Sequence, residues 1–479
     1  MRNLGLVAIL VVAFFARLSL LTVAWGHEDR VLTPDSRDYL DLADAMHRHE
    51  GFALYDPTIP PSASRRPAPL IPQIFRTPGY PAFLLVWRGL PGRWWSAVFA
   101  QVMLDTLLVL VTFRLGRQFV SRGAALLAAG LQAISPLAIA SSCRVLSDGL
   151  YALLLTTALL LIIRHIRSGS WWALLASAGL LAAACYVRPV GLAMAGIFAA
   201  VLLFRPKRIR RTAAFAGIVL AAVAPWVARN IIVADYWGFS SFATDSLFRF
   251  AAPKVMAKTQ PALEKEVLVL GPDGELTRGR VPAENVARDR MVTEGRRALG
   301  LLATPGAVAR YRRDRAMEVI LAHPWTYARV HLGGCVGFFL PGAADFLEVA
   351  GVTTGQRGTL EVLQTRGLWA AVRHYVGGNW AAVVLAAPFV LILLGKYAAV
   401  AVLAARKLRW RMPAEAWLLV LVAAASALLP GPAAHPRFRV PVEPLLSITA
   451  AAGAMMLLRR KSDAPDQAEQ DDVPVAPVP

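Results

Sequence analysis

Runs of about 20 apolar residues recur along the chain, each long enough to cross a ~30 Å hydrocarbon core as a helix. The first is Leu4 to Trp25. Others follow near residues 96–116, 122–142, 146–163, 171–187, 190–204 and 212–234, and again near 380–403, 414–430 and 438–458. Residues 326–340 are apolar but short and glycine-rich. They read either as re-entrant or as one crossing whose partner lies in 341–376. The pattern predicts an all-α polytopic membrane protein with about ten to twelve crossings. Leu4–Trp25 is long for a signal peptide and no small-x-small cleavage site follows it, so a retained helix is expected. Arg17 lies inside it and either faces a protein interior or snorkels toward the surface.

Polar segments separate the spans. The loop 26–95 opens with Thr33-Pro-Asp-Ser-Arg-Asp-Tyr, where Thr33 suits an N-cap and Pro34 a first helical turn. Tyr39, Leu42, Ala43 and Met46 then recur at i, i+3, i+4, i+7, the stripe of a short amphipathic surface helix. Arg37, Asp41, Asp44 and Arg48 fall on its other face. A later start, with Asp35 as the cap in a capping-box-like pair with Asp38, fits the same residues. Residues 57–72 are proline-rich and read as neither helix nor strand. Arg76-Thr-Pro-Gly-Tyr-Pro81 closes the loop. The expected layout is an N-terminal transmembrane module (1–235) containing this loop, an extracytoplasmic loop region (236–325), C-terminal transmembrane helices (326–461) and an acidic, disordered tail (462–479).

The 479-residue chain carries a net charge of +20. That could suggest nucleic acid, but many of the basic residues sit in short loops between spans, where they set topology. Arg114, Arg117 and Arg122, then Arg164 and Arg167, then Arg205, Lys207, Arg208, Arg210 and Arg211 mark one side. The N-terminus and these loops are therefore expected in the cytoplasm, and loop 26–95 outside. The three cysteines, Cys143, Cys185 and Cys335, are scattered and read as small buried hydrophobes.

With this topology, charged residues far apart in sequence reach one membrane face: Asp35, Asp38 and Tyr39; Arg76; Asp148; Arg188; Arg229 and Asn230; His435, Arg437, Arg439 and Glu443. Carboxylates there can act as a base or hold a metal, and arginines can hold a phosphate in a fork. Each alone also reads as a cap or an interfacial anchor. Their co-location is the signal.

Several motifs stand in a set order against the spans: Pro34-Asp35-Ser36 with Tyr39, Arg76-Thr-Pro-Gly-Tyr-Pro81, Pro136 then Leu146-Ser147-Asp148, and Arg188-Pro189. Pro225-Trp226 with Arg229-Asn230, His323-Pro324, and Arg437-Phe438-Arg439 with Pro441 and Pro444 complete it. In these the chain resembles the GT-C superfamily of lipid-sugar glycosyltransferases, specifically bacterial relatives of protein mannosyltransferases and of the lipid A aminoarabinose transferase. The resemblance runs from the first span to about residue 450. It implies a GT-C-like bundle whose outer loops carry short surface helices, in the cytoplasmic membrane with an extracytoplasmic site. It implies Asp35 as catalytic base, Asp148 as a second acidic site residue (where relatives more often have glutamate), and Arg76, with Arg437 and Arg439, at the donor phosphate. The donor would be a polyprenyl-phosphate sugar and the acceptor a hydroxyl of protein, lipid or glycan, with inversion at the anomeric carbon. No tightly bound cofactor is expected, though a divalent cation is possible. The alternatives are a flippase of lipid-linked sugars, which would use midplane polar residues such as Gln101, Asp105 and Gln132, or a glycan ligase or polymerase with a pyrophosphate-linked donor.

Overall fold

Apolar runs without interior charge form helices because hydrocarbon offers their backbone groups no other partners. The structure is a computed structural model; it describes residues 3–55, 70–90, 92, 94–205, 208–270, 276–300, 303–352, 362, 366–376, 379–407 and 413–462. Among these, six helices are long and apolar enough to cross a membrane: Leu4–Ala24, Trp95–Gly116, Asp148–Ser168, Arg208–Ala234, Trp380–Arg406 and Pro436–Leu458. Two further pairs are bent, Arg122–Ala133 with Pro136–Ser142 by 54° and Pro324–Phe339 with Ala343–Val349 by 53°. Trp171–Val187, Gly191–Leu203 and Glu415–Leu428 are shorter apolar helices. The 122–142 run expected as one span is thus broken, at a point where Pro136 cannot donate to the preceding turn. Residues 326–340 lie in the first arm of a bent pair. In the possible second crossing, 341–376, the described residues form the short helices Ala343–Val349 and Leu368–Val376; 353–361 and 363–365, with nearly all of the tail, lie outside the described residues.

Small residues let the helices approach each other, while larger apolar ones face outward, the arrangement that suits a lipid surround. On the first helix Val7, Val11, Val12 and Phe15 are exposed, whereas Ala13, Leu20, Leu21 and Ala24 are buried. Ala124, Ala125, Ala128, Ala129 and Ala133 line the inner face of the Arg122–Ala133 helix. Arg17 turns inward: it is fully buried, pairs with Asp105 at 2.5 Å and donates to the carbonyls of Ala13 and Ala133, both at 2.9 Å. Gln101 accepts from Tyr80 Oη and donates to the Arg144 carbonyl at 2.7 Å. Two of the three midplane polar residues are therefore engaged in internal bonds.

Two elements at one end of the bundle frame the site. Ala53–Tyr55 and Leu70–Pro72 form an antiparallel pair, with Ala53 opposite Pro72. This corrects the expectation that 57–72 contains no strand: Pro72 stands at the strand's end, in the minimal ladder where a missing N–H is tolerated. The rest of that stretch, 57–69, lies outside the described residues. Beyond Ala234 the second polar segment folds into helices Ala283–Leu299 and Pro305–Ala322, packed with Ala252–Thr259 around Phe248, Val255, Met291 and Ala316.

Candidate active site

Asp35 enters on the first turn of helix Pro34–His47 and Asp38 on the next. Thr33 is its cap: the Ser36 N–H donates to Thr33 Oγ1 at 3.3 Å, and the Thr33 N–H donates back to Ser36 Oγ at 2.9 Å. Capping by Asp35 is therefore excluded, and its carboxylate is free for other work. The helix is tied down on its buried stripe of Tyr39, Leu42 and Ala43. Ser36 Oγ donates to the Val145 carbonyl at 2.8 Å, and Tyr39 Oη lies 3.1 Å from Ser147 Oγ. Both contacts land on the turn leading into helix Asp148–Ser168.

Arg76 comes from the turn before helix Gly79–Trp87. Gly79 permits its placement: a Cβ there would lie 2.6 Å from the carbonyl carbon and oxygen of Tyr186, the backbone immediately before Arg188. Tyr80 is fully buried, with its ring edge-on to Tyr39. Arg76 Nη2 meets Asp35 Oδ1 at 2.6 Å and Asp38 Oδ2 at 3.0 Å. Arg437 arrives from the short 3₁₀ turn Pro436–Val442, and its Nη2 meets Asp35 Oδ2 at 2.5 Å. Each oxygen of Asp35 thus holds a different guanidinium. Buried Asp148 pairs with Arg188 and stands 3.9 Å from Arg437 Nε. That nitrogen is buried and makes no hydrogen bond among the described residues. Burial alone would raise the Asp35 pKa, but the Arg437 and Arg76 charges outweigh it and hold the carboxyl well below the usual range.

These groups line a cavity of about 990 Å³. Of the residues singled out in the sequence, Asp35, Asp38, Tyr39, Arg76, Asp148, Arg188 and Arg437 line it together. The remaining candidates do not, and each has another task. Arg439 is buried against Glu443 at 2.6 Å and donates to the Phe338 and Leu340 carbonyls. Glu443 also pairs with Lys396 at 2.9 Å. Arg439, expected at the donor phosphate, thus lies off this cavity and ties the Arg437 turn to the end of helix Pro324–Phe339. His435 caps the same turn, its Nδ1 accepting the Arg437 N–H at 3.2 Å. Arg229 donates to the carbonyls of Gln73 and Phe52, and Asn230 to those of Gly238 and Phe239, so this pair fastens both polar loops to helix Arg208–Ala234.

Sequence reading missed a second charged part of the wall. Asp245, Arg249, Arg296 and Arg312 also line the cavity. Asp245 is buried, accepts from Ser241 Oγ at 2.8 Å and pairs with Arg312. No spacing marks these residues; among the many arginines of 284–318 only tertiary placement distinguishes them. Among the described residues no group of three or more His, Cys, Asp or Glu side chains is placed to hold a metal ion.

A helical membrane bundle with a charged cavity framed by short helices at one end defines the class, and its fold is similar to that of archaeal oligosaccharyltransferase structures. Residues 88–228 match the family model described as dolichyl-phosphate-mannose-protein mannosyltransferase. That stretch contains Asp148 and Arg188 but not Asp35, Arg76 or Arg437. The archaeal oligosaccharyltransferase AglB from Archaeoglobus fulgidus, in complex with an inhibitory peptide and a dolichol-phosphate, superposes with a TM-score of 0.51 at 14% identity, over 99% of this chain and 53% of that one. The apo form of the Archaeoglobus fulgidus oligosaccharyltransferase gives 0.50 at 15% identity, over 97% and 52%. ArnT from Cupriavidus metallidurans bound to undecaprenyl phosphate gives 0.40 at 15% identity, over 96% and 79%. The chain spans about half the length of the archaeal structures it matches. No curated protein matches it in sequence.

Proposed function

We propose that the chain is an inverting glycosyltransferase that moves a sugar from a polyprenyl-phosphate donor to an acceptor hydroxyl. The site would lie at the outer face of the cytoplasmic membrane. The observation that carries this reading is the clamp on Asp35: a carboxylate and two arginines, from opposite ends of the chain, meet in a large cavity at one end of a membrane bundle. A lipid-borne phosphate can reach such a place with its tail still in hydrocarbon. The matched family description names a dolichyl-phosphate sugar, and the archaeal fold neighbour is a complex with dolichol-phosphate; both favour this donor class.

In the reaction the acceptor oxygen attacks the anomeric carbon as its proton passes to Asp35. The bond from that carbon to the phosphate oxygen breaks, and the electron pair leaves with the lipid phosphate. Arg76 and Arg437 stabilise the charge developing there. Asp148, pinned by Arg188, places a negative charge 3.9 Å from Arg437 Nε, which holds that cation near the cavity without bonding it. The transporter alternative is disfavoured by the closed Arg17–Asp105 pair and the internal bonds of Gln101.

The test compares two substitutions on one helix. Asp35→Asn leaves the Thr33 cap intact, so it should insert and remain stable while losing transfer by at least ~10², the low end for removal of a general base. Asp41→Asn, at an exposed position on the same cavity wall and paired with neither Arg76 nor Arg437, should lose little. Both are measured on the purified full-length chain with a radiolabelled polyprenyl-phosphate sugar. Near-normal transfer by Asp35→Asn would leave the mechanism without its base.

A further inference from the structure

The clamp raises a chemical difficulty. A general base must take a proton from a hydroxyl, yet both oxygens of Asp35 are committed to guanidinium groups, at 2.6 Å to Arg76 and 2.5 Å to Arg437. Each oxygen keeps a further lone pair, but two adjacent positive charges make the carboxylate a poor proton acceptor. The same two arginines are the cations placed to meet the donor phosphate. They cannot give their full fork to both anions, because each offers Nη2 to Asp35.

We propose that Arg76 and Arg437 form one anion seat occupied in turn by the Asp35 carboxylate and by the phosphate of the lipid donor, so that donor binding itself uncovers the base. The inference rests on the reading of this cavity as the transfer site. Three features support exchange over a fixed structural bridge. Arg437 keeps a buried Nε with no hydrogen bond among the described residues, so a phosphate oxygen would find a donor that the carboxylate leaves unused. Arg76 already contacts a second carboxylate, Asp38, at 3.0 Å, so it can turn from Asp35 without being stranded. The helix bearing Asp35 needs neither contact for its cap, since Thr33 and Ser36 supply it. The backbones behind both arginines are fixed, by Gly79 against Tyr186 and by Arg439 against Glu443, so exchange requires side-chain rotation only.

The cycle then balances. The donor is a phosphodiester with one negative charge, and it draws the guanidinia from Asp35. Transfer moves the acceptor proton to Asp35 and releases a lipid phosphate monoester, which gains a negative charge as its link to the sugar breaks. Asp35 gives its proton to water, regains its charge and competes for the arginines again, helping to expel the product. An isolated aspartate in this position would serve as a base but would leave the product phosphate firmly held.

The consequence is measurable without turnover. Affinity for undecaprenyl phosphate, the probe for the seat, is read from the quenching of intrinsic tryptophan fluorescence in detergent-purified full-length protein. Asp35→Asn removes the competing charge and should bind the probe about tenfold more tightly than the unsubstituted chain, a change on the scale of one charge-assisted contact. Arg437→Ala should bind it more weakly. Asp41→Asn, as a control for lost negative charge on the same helix, should shift the affinity far less than Asp35→Asn. Equal or weaker binding by Asp35→Asn, or an equal gain in Asp41→Asn, would overturn the shared seat. Failure of the base assignment looks different. If Asp35→Asn binds more tightly and still transfers sugar, the seat stands and the base falls. If it loses transfer without tighter binding, the base stands and the seat falls.

Discussion

At neutral pH an ordinary aspartate is already ionised, so the partners of Asp35 govern its basicity more than its charge does. With Arg437 and Arg76 in place its pKa lies well below the ordinary 3.8. A depressed pKa means the free protein keeps this carboxylate charged further into acid than an unpaired aspartate would. On the proposed exchange the donor takes the arginines and the value rises. The acid limb of kcat, which reports the donor-bound state, should therefore lie at higher pH than the acid limb of kcat/KM for the donor, which reports the free enzyme. Paired pH profiles from about pH 3.5 upward would show the separation, and coincident limbs would count against release of the clamp. Asp35 was legible as a candidate from its place in the Pro34-Asp35-Ser36 motif and from the charges expected on the same face, although the sequence alone left it open as a helix cap. Its two partners were legible only as members of a longer set, since spacing does not tell which arginine on a surface reaches which carboxylate.

Among the elements, close backbone contacts hold the arginines. Gly79 touches the Tyr186–Val187 backbone, and Gly334 and Gly337 let helix Pro324–Phe339 meet the Gly431–Ala434 turn, where added Cβ atoms would come within 2.5 Å. Gly79→Ala should therefore force a backbone shift costing about 1–3 kcal/mol, lowering the melting temperature in detergent and weakening binding of the lipid phosphate through displaced Arg76. Gly89→Ala, with nothing within 4 Å of its Cβ, is the matched control. Equal melting temperatures for the two variants would remove the packing argument. The glycines of 326–340 were visible in the sequence, but they read as a weak span because the turn they meet lies about a hundred residues on. The same limit explains Arg437 and Arg439. Residues two apart in a 3₁₀ turn point in different directions, so one faces Asp35 and the other faces Glu443, and the motif alone cannot assign them.

For the whole molecule, the acidic and basic groups of the cavity gather at one end of the bundle, while Arg167 and Arg205 meet Glu415 at loops expected on the other side. This pairing fits the arginine alternation from which the topology was read, and the alternation was legible because short loops carry it. A cysteine placed after Gly51 should accordingly react with an impermeant label in intact cells, and one near Lys207, outside the described residues, should not. Labelling at Lys207 from outside would reverse the orientation and put the cavity in the cytoplasm. The depth of the cavity was not legible at all, because its wall draws on segments near residues 35, 76, 148, 188, 245, 312 and 437.

The bond between Arg437 and Asp35 joins residues 402 positions apart. A ribosome adding ~5–20 residues per second takes roughly 20–80 s to cover that distance. Throughout that interval the first loop stands at the membrane surface with its carboxylate facing an incomplete pocket. A chain that stops before residue 437 therefore keeps the acidic helix but lacks its distal arginine. Such fragments cannot form the two-sided clamp, so a closed clamp doubles as a record that synthesis passed residue 437.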